Sequence, residues 1–410
     1  MEDIFIKPND WNQENSIIKV IGVGGGGCNA VNYMYKQNIK GCSFIVCNTD
    51  YQALQTSEVP DKIQMGSNGL GAGTDPTAGR NAALESQEEI ARKVLDSGTQ
   101  MLFITAGMGG GTGTGASPVI AKMAKDKGIL TVAVVTIPFK NEGNESQSKA
   151  VDGIHELEKN VDALLIINNE KLYEFFGNTL IQEAFPKADE VLATAVRGII
   201  EVINRPGYIN VDFQDVCRMM RNSGMALMGS GEGTGPNRLQ DAVKGAFESP
   251  LLNDFDLKTA KNVLINITTG NNEQGARMSD LKDIDDMISS YTGDANHFKK
   301  GIIWDDDPDF GDKVRITAIV TGFDMDLGGL GLNKDLGNLV IIDEGFQWDL
   351  SDHGTEVTLP GVAETIKIGY NNSDNARKIS FATDHKPVLC VEPGEKKTDL
   401  EITPAIRRVH

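Results

Sequence analysis

The sequence GMGGGTGTG, residues 107–115, contains six glycines and two threonines between a predicted strand, Met101–Thr105, and a predicted helix, Ser117–Lys127. A glycine-rich turn in this position exposes backbone N–H groups, and the helix end behind it adds partial positive charge. The segment therefore predicts a cradle for a polyphosphate. A flexible linker would not lie between a buried strand and a helix start, and the absence of a following Gly-Lys-Ser/Thr excludes a Walker loop.

Two further glycine clusters bear on the ligand. Residues 22–27, GVGGGG, satisfy the G-x-G-x-x-G pattern of dinucleotide-binding proteins, and Asp50 ends the next predicted strand, where such proteins place a ribose-binding acid. Gly71-Ala72-Gly73 forms the third cluster. A dinucleotide-binding oxidoreductase would need neither this third cluster nor the one at 107–115. Three phosphate-loop candidates at one sheet edge favour a mononucleotide triphosphate instead.

Strands, loops and helices alternate along the first half of the chain. This order predicts an α/β fold with a parallel sheet, helices on both faces, and all ligand loops at the carboxyl ends of the strands. The predicted strands there are Ile17–Val23, Ser43–Cys47, Met101–Thr105, Leu130–Ile137 and Ala163–Ile167, with a helix at Asn29–Gln37. Helical periodicity then extends over Ile181–Asn204. A smaller α/β unit follows, with a helix at Phe213–Arg221, a glycine-rich loop at 229–235, and strands at Asn262–Thr268, Gly301–Trp304 and Lys313–Thr321.

After residue 323 the periodicity fades, which predicts a flexible linker in which the apolar patches 339–342 and 379–382 are too short to build a core. The final stretch LEITPAIRR, residues 400–408, is apolar and basic, as is typical of a docking peptide on a flexible tether. The predicted organisation is an N-terminal extension (1–16), a nucleotide-binding domain (17–180), a central helix (181–204), a second domain (205–323), the linker (324–397) and the docking peptide (398–410).

Composition excludes several classes of function. The 410 residues include 39 Lys and Arg against 58 Asp and Glu, a formal net charge of −19. Such a surface repels phosphate backbones and anionic lipids, so neither nucleic-acid binding nor direct membrane insertion is expected. The 5 Cys form no CxxC pair, which argues against a disulfide framework and a Cys-based zinc site and fits a reducing cytoplasm. The sequence shows neither a signal-peptide pattern nor an apolar run of membrane-spanning length.

Asp212 and Asp215 are three residues apart at the start of a predicted helix, so both project from its first turn. Capping the helix is the usual role of acids in this pattern, and one acid would suffice for it. Two acids, with Asn210 just before them, can also orient a water molecule for attack on a γ-phosphate. The spacing alone leaves both interpretations open.

Together these motifs resemble the tubulin/FtsZ family, and its bacterial branch is the closer match. The similar stretches occur in the family's order and extend roughly from residue 17 to residue 323. They are IKVIGVGGGG (18–27) with NAV (29–31), NTD (48–50), GLGAG (69–73), GRNAA (79–83), GMGGGTGTG (107–115), RPG (205–207) with NVDF (210–213), and MGSG (228–231). The resemblance implies a Rossmann-like GTPase domain, a long central helix, a smaller second α/β domain and a flexible tail.

The resemblance also implies which residues bind GTP or GDP. Thr112 and the glycines would surround the phosphates, and Glu142 would contact the ribose. Phe185 would stack on the guanine, with core packing as its alternative role, and Asp189, near Asn169, would accept from the base N1–H and amino group. The implied set is Gly24, Gly25, Gly26, Gly27, Asn29, Asn48, Asp50, Gly73, Thr74, Gly107, Met108, Gly109, Gly110, Gly111, Thr112, Gly113, Pro138, Glu142, Asn169, Phe185 and Asp189.

In this family, the loop that corresponds to Asn210, Asp212 and Asp215 acts on the nucleotide of the neighbouring subunit. The resemblance therefore implies a head-to-tail homopolymer that hydrolyses GTP with Mg²⁺ upon assembly and builds the cell-division ring in the cytoplasm at midcell. It further implies that the terminal peptide docks division proteins and membrane tethers such as FtsA. A non-polymerising nucleotide-binding regulator of the same fold is the alternative, and the intact acid pair argues against it.

One loop departs from the family pattern. The family usually has an aromatic residue before the position of Glu142 and an arginine shortly after that of Gly143. Here Asn141 precedes the glutamate, and Ser146 stands where the arginine is expected. One phosphate-side contact of the family is therefore not expected in the same form, and Lys149 could substitute only from a different position.

Overall fold

The computed structural model describes residues 16–95, 98–170, 181–204, 212–248, 257–293 and 297–323, together with four short strands between residues 339 and 367. Within the long helix that begins at Ile181, side chains are described from Asp189 onward. The chain divides into two compact units, residues 1–330 and residues 331–410.

The first six strands form the parallel part of a ten-stranded sheet, in the order β3-β2-β1-β4-β5-β6. Most of their residues are apolar and buried on both faces, as expected of parallel strands that helices cover. This confirms the predicted α/β sheet, with the carboxyl ends of these strands at one edge. The strands are β1 (Ile18–Val23), β2 (Ser43–Asn48), β3 (Asp61–Gln64), β4 (Met101–Gly107), β5 (Leu130–Ile137) and β6 (Ala163–Asn168).

Helices connect these strands and cover the sheet. The long helix predicted between the two halves is α7, and its described apolar residues Leu192, Val196 and Ile199 are at most 3% exposed within the core. Among the described residues, no helix combines the length and apolarity that crossing a membrane would require. The helices are α1 (Gly24–Lys36), α2 (Tyr51–Thr56), α3 (Pro76–Glu85), α4 (Gln87–Lys93), α5 (Thr112–Asp126), α6 (Asn144–Glu158) and α7 (Ile181–Asn204).

The second half of this unit continues the same sheet. The strand β7 joins β6 through two parallel residue pairs, and β10 then pairs antiparallel with both β7 and β8. The strand β9 runs parallel to β8 and forms the edge of the sheet. The elements are α8 (Phe213–Met220), β7 (Gly224–Gly233), α9 (Arg238–Phe247), β8 (Asn262–Gly270), α10 (Met278–Thr292), β9 (His297–Asp305) and β10 (Val314–Phe323).

The glycine-rich segment 229–235, predicted to be a loop, lies mostly in β7. A Cβ atom on Gly231 would lie 2.2 Å from the carbonyl oxygen of Ala242, and one on Gly233 would lie 2.0 Å from that of Arg238. Both carbonyls belong to α9. These glycines therefore allow a helix to approach a strand closely, which a sequence pattern cannot distinguish from loop flexibility.

Within the unit of residues 331–410, the described residues form two antiparallel strand pairs. They are β11 (Leu339–Asp343) with β12 (Phe346–Asp349), and β13 (Glu356–Thr358) with β14 (Thr365–Lys367). The apolar patch 339–342 is thus a strand inside the predicted linker. Its β-branched residues favour a strand, and a two-residue connection brings the next segment alongside it. The patch 379–382 and the peptide 398–410 lie outside the described residues.

Candidate functional site

The helices α1 and α5 both begin at the carboxyl edge of the sheet, after the neighbouring strands β1 and β4. The sequence predicted helix starts near Asn29 and Ser117, but α1 begins at Gly24 and α5 at Thr112. Several glycines of both clusters therefore form helical first turns. Glycine disfavours helix in an isolated chain, which is why its pattern predicted loops. Close packing of the two helix ends on the sheet outweighs that preference.

The two helix ends lie so close to the sheet and to each other that several positions have room only for glycine. A Cβ atom on Gly27 would lie 2.2 Å from the carbonyl oxygen of Thr105. One on Gly24 would lie 2.9 Å from the backbone nitrogen of Gly113, and one on Gly113 would lie 2.4 Å from the carbonyl oxygen of Gly107. Any side chain at these positions would push the helix ends away from the sheet or from each other.

Three other glycines border open space. Among the described residues, and apart from its own chain neighbours, a Cβ atom on Gly25, Gly73 or Gly110 would have no protein atom within 4 Å. The residues that precede α1 and α5, Val23 and Gly111, make no side-chain cap to either helix within the part of the chain that the structure describes. Both helix ends therefore present N–H groups and partial positive charge toward this space, which fits a polyphosphate.

The loop after β2 is held by its own polar side chains. Asn48 is 3% exposed, and its Oδ1 accepts from the N–H of Thr49 at 2.9 Å. Asp50 Oδ1 caps α2 by accepting from two N–H groups, at 2.8 and 3.2 Å. The hydroxyls of Thr49 and Thr112 are 2.7 Å apart and join this loop to the start of α5. Sequence reasoning missed Thr49, because nothing in the chain pattern reveals a hydroxyl partner 63 positions away.

The turn before α3 has a left-handed backbone, with φ of 58° at Gly73 and 64° at Thr74. A non-glycine residue in this region is strained, and such strain is common at functional sites. Lys149 of α6 donates to the carbonyl oxygen of Thr74 at 3.0 Å and to Glu145 at 2.6 Å. The cation considered as a substitute for the missing arginine therefore contacts the backbone of this turn, with an acid beside it.

The loop after β5 closes over the glycine turn. A Cβ atom on Gly109, where φ is 97°, would lie 3.0 Å from the ring of Pro138 in this loop and 2.9 Å from the carbonyl oxygen of Ser146 in the first turn of α6. Glu142 is exposed, and its Oε1 accepts from the N–H of Phe139 at 2.9 Å, within a short 3₁₀ turn that follows the buried Pro138. Met108 is 4% exposed, so it contributes backbone rather than side chain to the glycine turn.

The predicted base-binding residues Asn169 and Asp189 lie just after β6 and in the first half of α7. Asn169 Oδ1 is buried without a partner among the described residues. Burial raises the pKa of Asp189 from 3.8 to about 6. Both groups fit a base that offers neighbouring N–H and NH₂ donors, as guanine does. Asn29 is exposed on α1, and Phe185 belongs to α7 with its side chain outside the described part.

The predicted acids open α8. Asp212 Oδ1 accepts from the N–H of Asp215 at 2.7 Å, so Asp212 caps the helix. The Asp215 carboxylate makes an ion pair instead, with its Oδ1 3.0 Å from Lys299 Nζ of β9. Capping therefore accounts for one acid and not for the other. Asn210 lies outside the described residues.

The helix α8 lies at the amino edge of the sheet. Phe213 and Cys217 line a cavity of about 370 Å³ together with Gln100 and Ile129, which come just before β4 and β5. The glycine turn follows the opposite end of β4, a strand of 7 residues that spans about 20 Å. The acids of one chain therefore cannot reach the glycine turns of the same chain.

Comparison with known proteins gives two family matches. Residues 17–177 match the tubulin/FtsZ family GTPase domain, and residues 224–324 match the FtsZ family C-terminal domain. The chain is 46% identical to the cell division protein FtsZ of Porphyromonas gingivalis over 332 residues, which cover 79% of this chain and 71% of that protein. It is 49% identical to the protein of the same name from Pseudomonas putida over 313 residues, 75% and 77% of the two chains.

Solved structures are also similar. An FtsZ dimer from M. jannaschii superposes with a TM-score of 0.67 at 35% identity, covering 85% of this chain and 94% of that one. CetZ1 from Haloferax volcanii, in a GDP-bound monomer, superposes with a TM-score of 0.65 over 77% and 96% of the two chains. Its identity is 18%, so this second likeness supports the fold alone.

Proposed function

The chain belongs to the tubulin/FtsZ family and is a polymerising cell-division GTPase, and on that premise we propose that its active site forms between successive subunits. The glycine turns of one subunit would bind GTP, and α8 of the next would supply the acids. The supporting observation is the distance of about 20 Å between the two ends of β4. The glycine turn follows one end of this strand, and α8 with its acids lies near the other. The dinucleotide oxidoreductase alternative is not favoured by the family matches.

We propose that the N–H groups at the starts of α1 and α5 bind the phosphates, with the hydroxyl of Thr112 beside them. The open positions at Gly25, Gly73 and Gly110 would be the space that the phosphates fill. Asp189 and Asn169 would accept from guanine, and Glu142 would contact the ribose. Mg²⁺, which prefers oxygen ligands, would be held mainly by the phosphates and would neutralise part of their charge.

At the acid end, Asp212 would orient the attacking water, while Asp215 and Asn210 would support it. The Asp212 oxygen that accepts from the N–H of Asp215 fixes the direction of the carboxylate. Its other oxygen can then accept from a water aligned with the γ-phosphate of the neighbouring subunit. Because the acids and the phosphates belong to different chains, turnover would require assembly.

A mixing experiment tests whether the site is shared. Asp212→Ala leaves the nucleotide end intact, and Gly110→Glu, which directs a carboxylate into the phosphate space, leaves the acid end intact. Each variant alone should hydrolyse GTP poorly, and the mixture should regain turnover because one interface then has both halves. Sedimentation of the mixture verifies co-assembly. An inactive mixture that co-assembles would refute the shared site, as would wild-type turnover per molecule that is independent of protein concentration.

We also propose that the protein forms the division ring at midcell in the cytoplasm and that residues 398–410 dock membrane-tethering division proteins such as FtsA. An apolar and basic peptide at the end of an acidic chain supports this role, because the net charge of −19 disfavours direct contact with anionic lipid. Deleting residues 400–410 should abolish recruitment of such partners and leave assembly intact. A loss of polymerisation would contradict this proposal.

A further inference from the structure

Two adjacent lysines on the edge strand β9 make different ion pairs. Lys299 Nζ lies 3.0 Å from Asp215 Oδ1 on α8, and Lys300 Nζ lies 2.8 and 2.6 Å from the two carboxylate oxygens of Asp285 on α10. Neighbouring residues of a strand project to opposite faces of the sheet. One lysine therefore reaches an acid of the proposed catalytic pair, and the other reaches an acid unrelated to it.

The carboxyl half of α8 is fixed by the core, where Val216 and Met220 are at most 2% exposed, and the Met219 carbonyl oxygen accepts from Asn262 at 3.2 Å and from Thr321 at 3.1 Å. On the side of β4 and β5, Phe213 and Cys217 of the helix line the cavity of about 370 Å³. Its carboxyl end is tied through Asp162, which is 3% exposed and accepts from the N–H groups of Thr131 at 2.9 Å and Asn222 at 3.2 Å. At the amino end, where the acids lie, the ion pair with Lys299 links the helix to β9.

Lys299 is connected to Asp212 through two successive contacts. Its ammonium group pairs with the Asp215 carboxylate, and the backbone N–H of that same residue donates to Asp212 Oδ1 at 2.7 Å. The pair also offsets one of two neighbouring negative charges. Two unpaired carboxylates would repel an approaching triphosphate, so a cation beside them lowers the electrostatic cost of bringing the subunits together.

We propose that Lys299 is a positioning residue for GTP hydrolysis, which holds Asp215 and through it the direction of Asp212. This inference rests on the proposed function, in which α8 acts on the nucleotide of the next subunit. Lys299 itself touches neither substrate nor reacting atoms in this assignment. Its side chain is 51% exposed and that of Asp215 is 23% exposed, so the pair contributes little to the stability of the fold.

The test compares Lys299→Met with Lys300→Met, a matched control on the next residue of the same strand. GTP turnover per sedimented subunit is measured at protein concentrations well above the assembly threshold, with KM determined separately. Lys299→Met should lower kcat about tenfold at unchanged KM, because it disturbs alignment and not nucleotide binding. Lys299→Arg should recover kcat to within about twofold of wild type, and Lys300→Met should stay within the same range. The melting temperature of Lys299→Met should stay within about 2 °C of wild type.

Several results would overturn the proposal. Equal falls in kcat for the two methionine variants would indicate a general effect of β9, and failure of Lys299→Arg to recover would exclude positioning by charge. A raised assembly threshold with normal turnover per polymerised subunit would make Lys299 a subunit contact. Asp212→Ala, measured in parallel, distinguishes a failure of the proposed function from a failure of the role proposed for Lys299. If it retains full turnover, the proposed function fails; if it loses turnover while Lys299→Met does not, only the role of Lys299 fails.

Discussion

The two edges of the parallel sheet are built on different principles. At the carboxyl edge, the geometry comes mainly from backbone, with glycines that either touch a neighbouring backbone or border open space, and polar side chains such as Thr49 join the loops. At the amino edge, it comes from side chains, namely Asp212, Asp215 and a lysine from a strand far along the chain. The first edge should be sensitive to any added atom, whereas the second should be sensitive to charge and direction.

The largest expected change in GTP affinity comes from adding side-chain atoms at the carboxyl edge of the sheet. Gly110→Glu should weaken GTP binding by about a thousandfold, because its carboxylate would occupy the space proposed for a phosphate. Gly110→Ala adds a methyl group that meets none of the described residues within 4 Å apart from its chain neighbours, so its melting temperature controls for folding. Equilibrium binding of a fluorescent GTP analogue measures the change. Normal affinity in the glutamate variant would move the phosphate site elsewhere.

A substitution of the acids at the amino edge of the sheet should leave GTP binding intact and slow GTP hydrolysis. Asp212→Ala should reduce hydrolysis by about a hundredfold or more while GTP affinity stays near normal, because the acid would act on the nucleotide of another subunit. The loss of its helix cap should also lower stability by about 1 kcal/mol, which thermal unfolding measures. Asp212→Asn can still cap and serves as the matched control. Parallel losses of affinity and turnover would break the distinction between the two edges.

A smaller effect, dependent on pH, is expected at Asp189. Its pKa of about 6 exceeds the ordinary 3.8, so the folded chain without nucleotide holds this proton more tightly than the unfolded chain does. The resulting stabilisation is present at low pH and is lost as pH rises from 3.8 through about 6. Guanine needs the ionised carboxylate, so GDP affinity should rise over the same upper range.

Asp189→Asn should weaken GDP binding about tenfold and reduce the preference for guanine. Titration calorimetry of both proteins at several pH values between 5 and 8 separates the protein's contribution, because titration of the nucleotide itself affects both equally. If the affinity of the two proteins changes with pH in parallel, the base is read by other groups.

The sequence predicted the fold well where one residue pattern has one structural meaning. Runs such as Leu130–Ile137 are buried on both faces, and the turns after these strands meet at one edge because parallel strands require it. A glycine cluster can indicate either a flexible loop or a close approach of two backbone segments, and the predicted secondary structure was less accurate at such clusters. The glycine pattern predicts loops for the clusters that begin at Gly24 and Gly229, yet the first opens a helix and the second lies in a strand, because neighbouring backbone occupies the space of the missing side chains.

For the candidate site, the motif resemblance names residues but says nothing of their contacts. Asp50 has its carboxylate committed to capping α2, Glu142 caps a short turn, and Met108 faces the core. These are properties of local hydrogen bonding and burial, which follow from the folded chain. The sequence pattern does not predict the hydroxyl contact of Thr49 or the ion pair of Lys299, since their partners are distant in sequence.

The sequence by itself determined that this chain forms a parallel α/β sheet with glycine-rich turns at one edge, because strand composition and glycine spacing are local properties. It also determined the presence of an acid pair at a helix start. Tertiary structure alone decided that the pair lies at the opposite edge, that one acid caps α8, and that Lys299 holds the other. Those relations depend on which distant segments the fold brings within a few ångströms, and no local pattern encodes that distance.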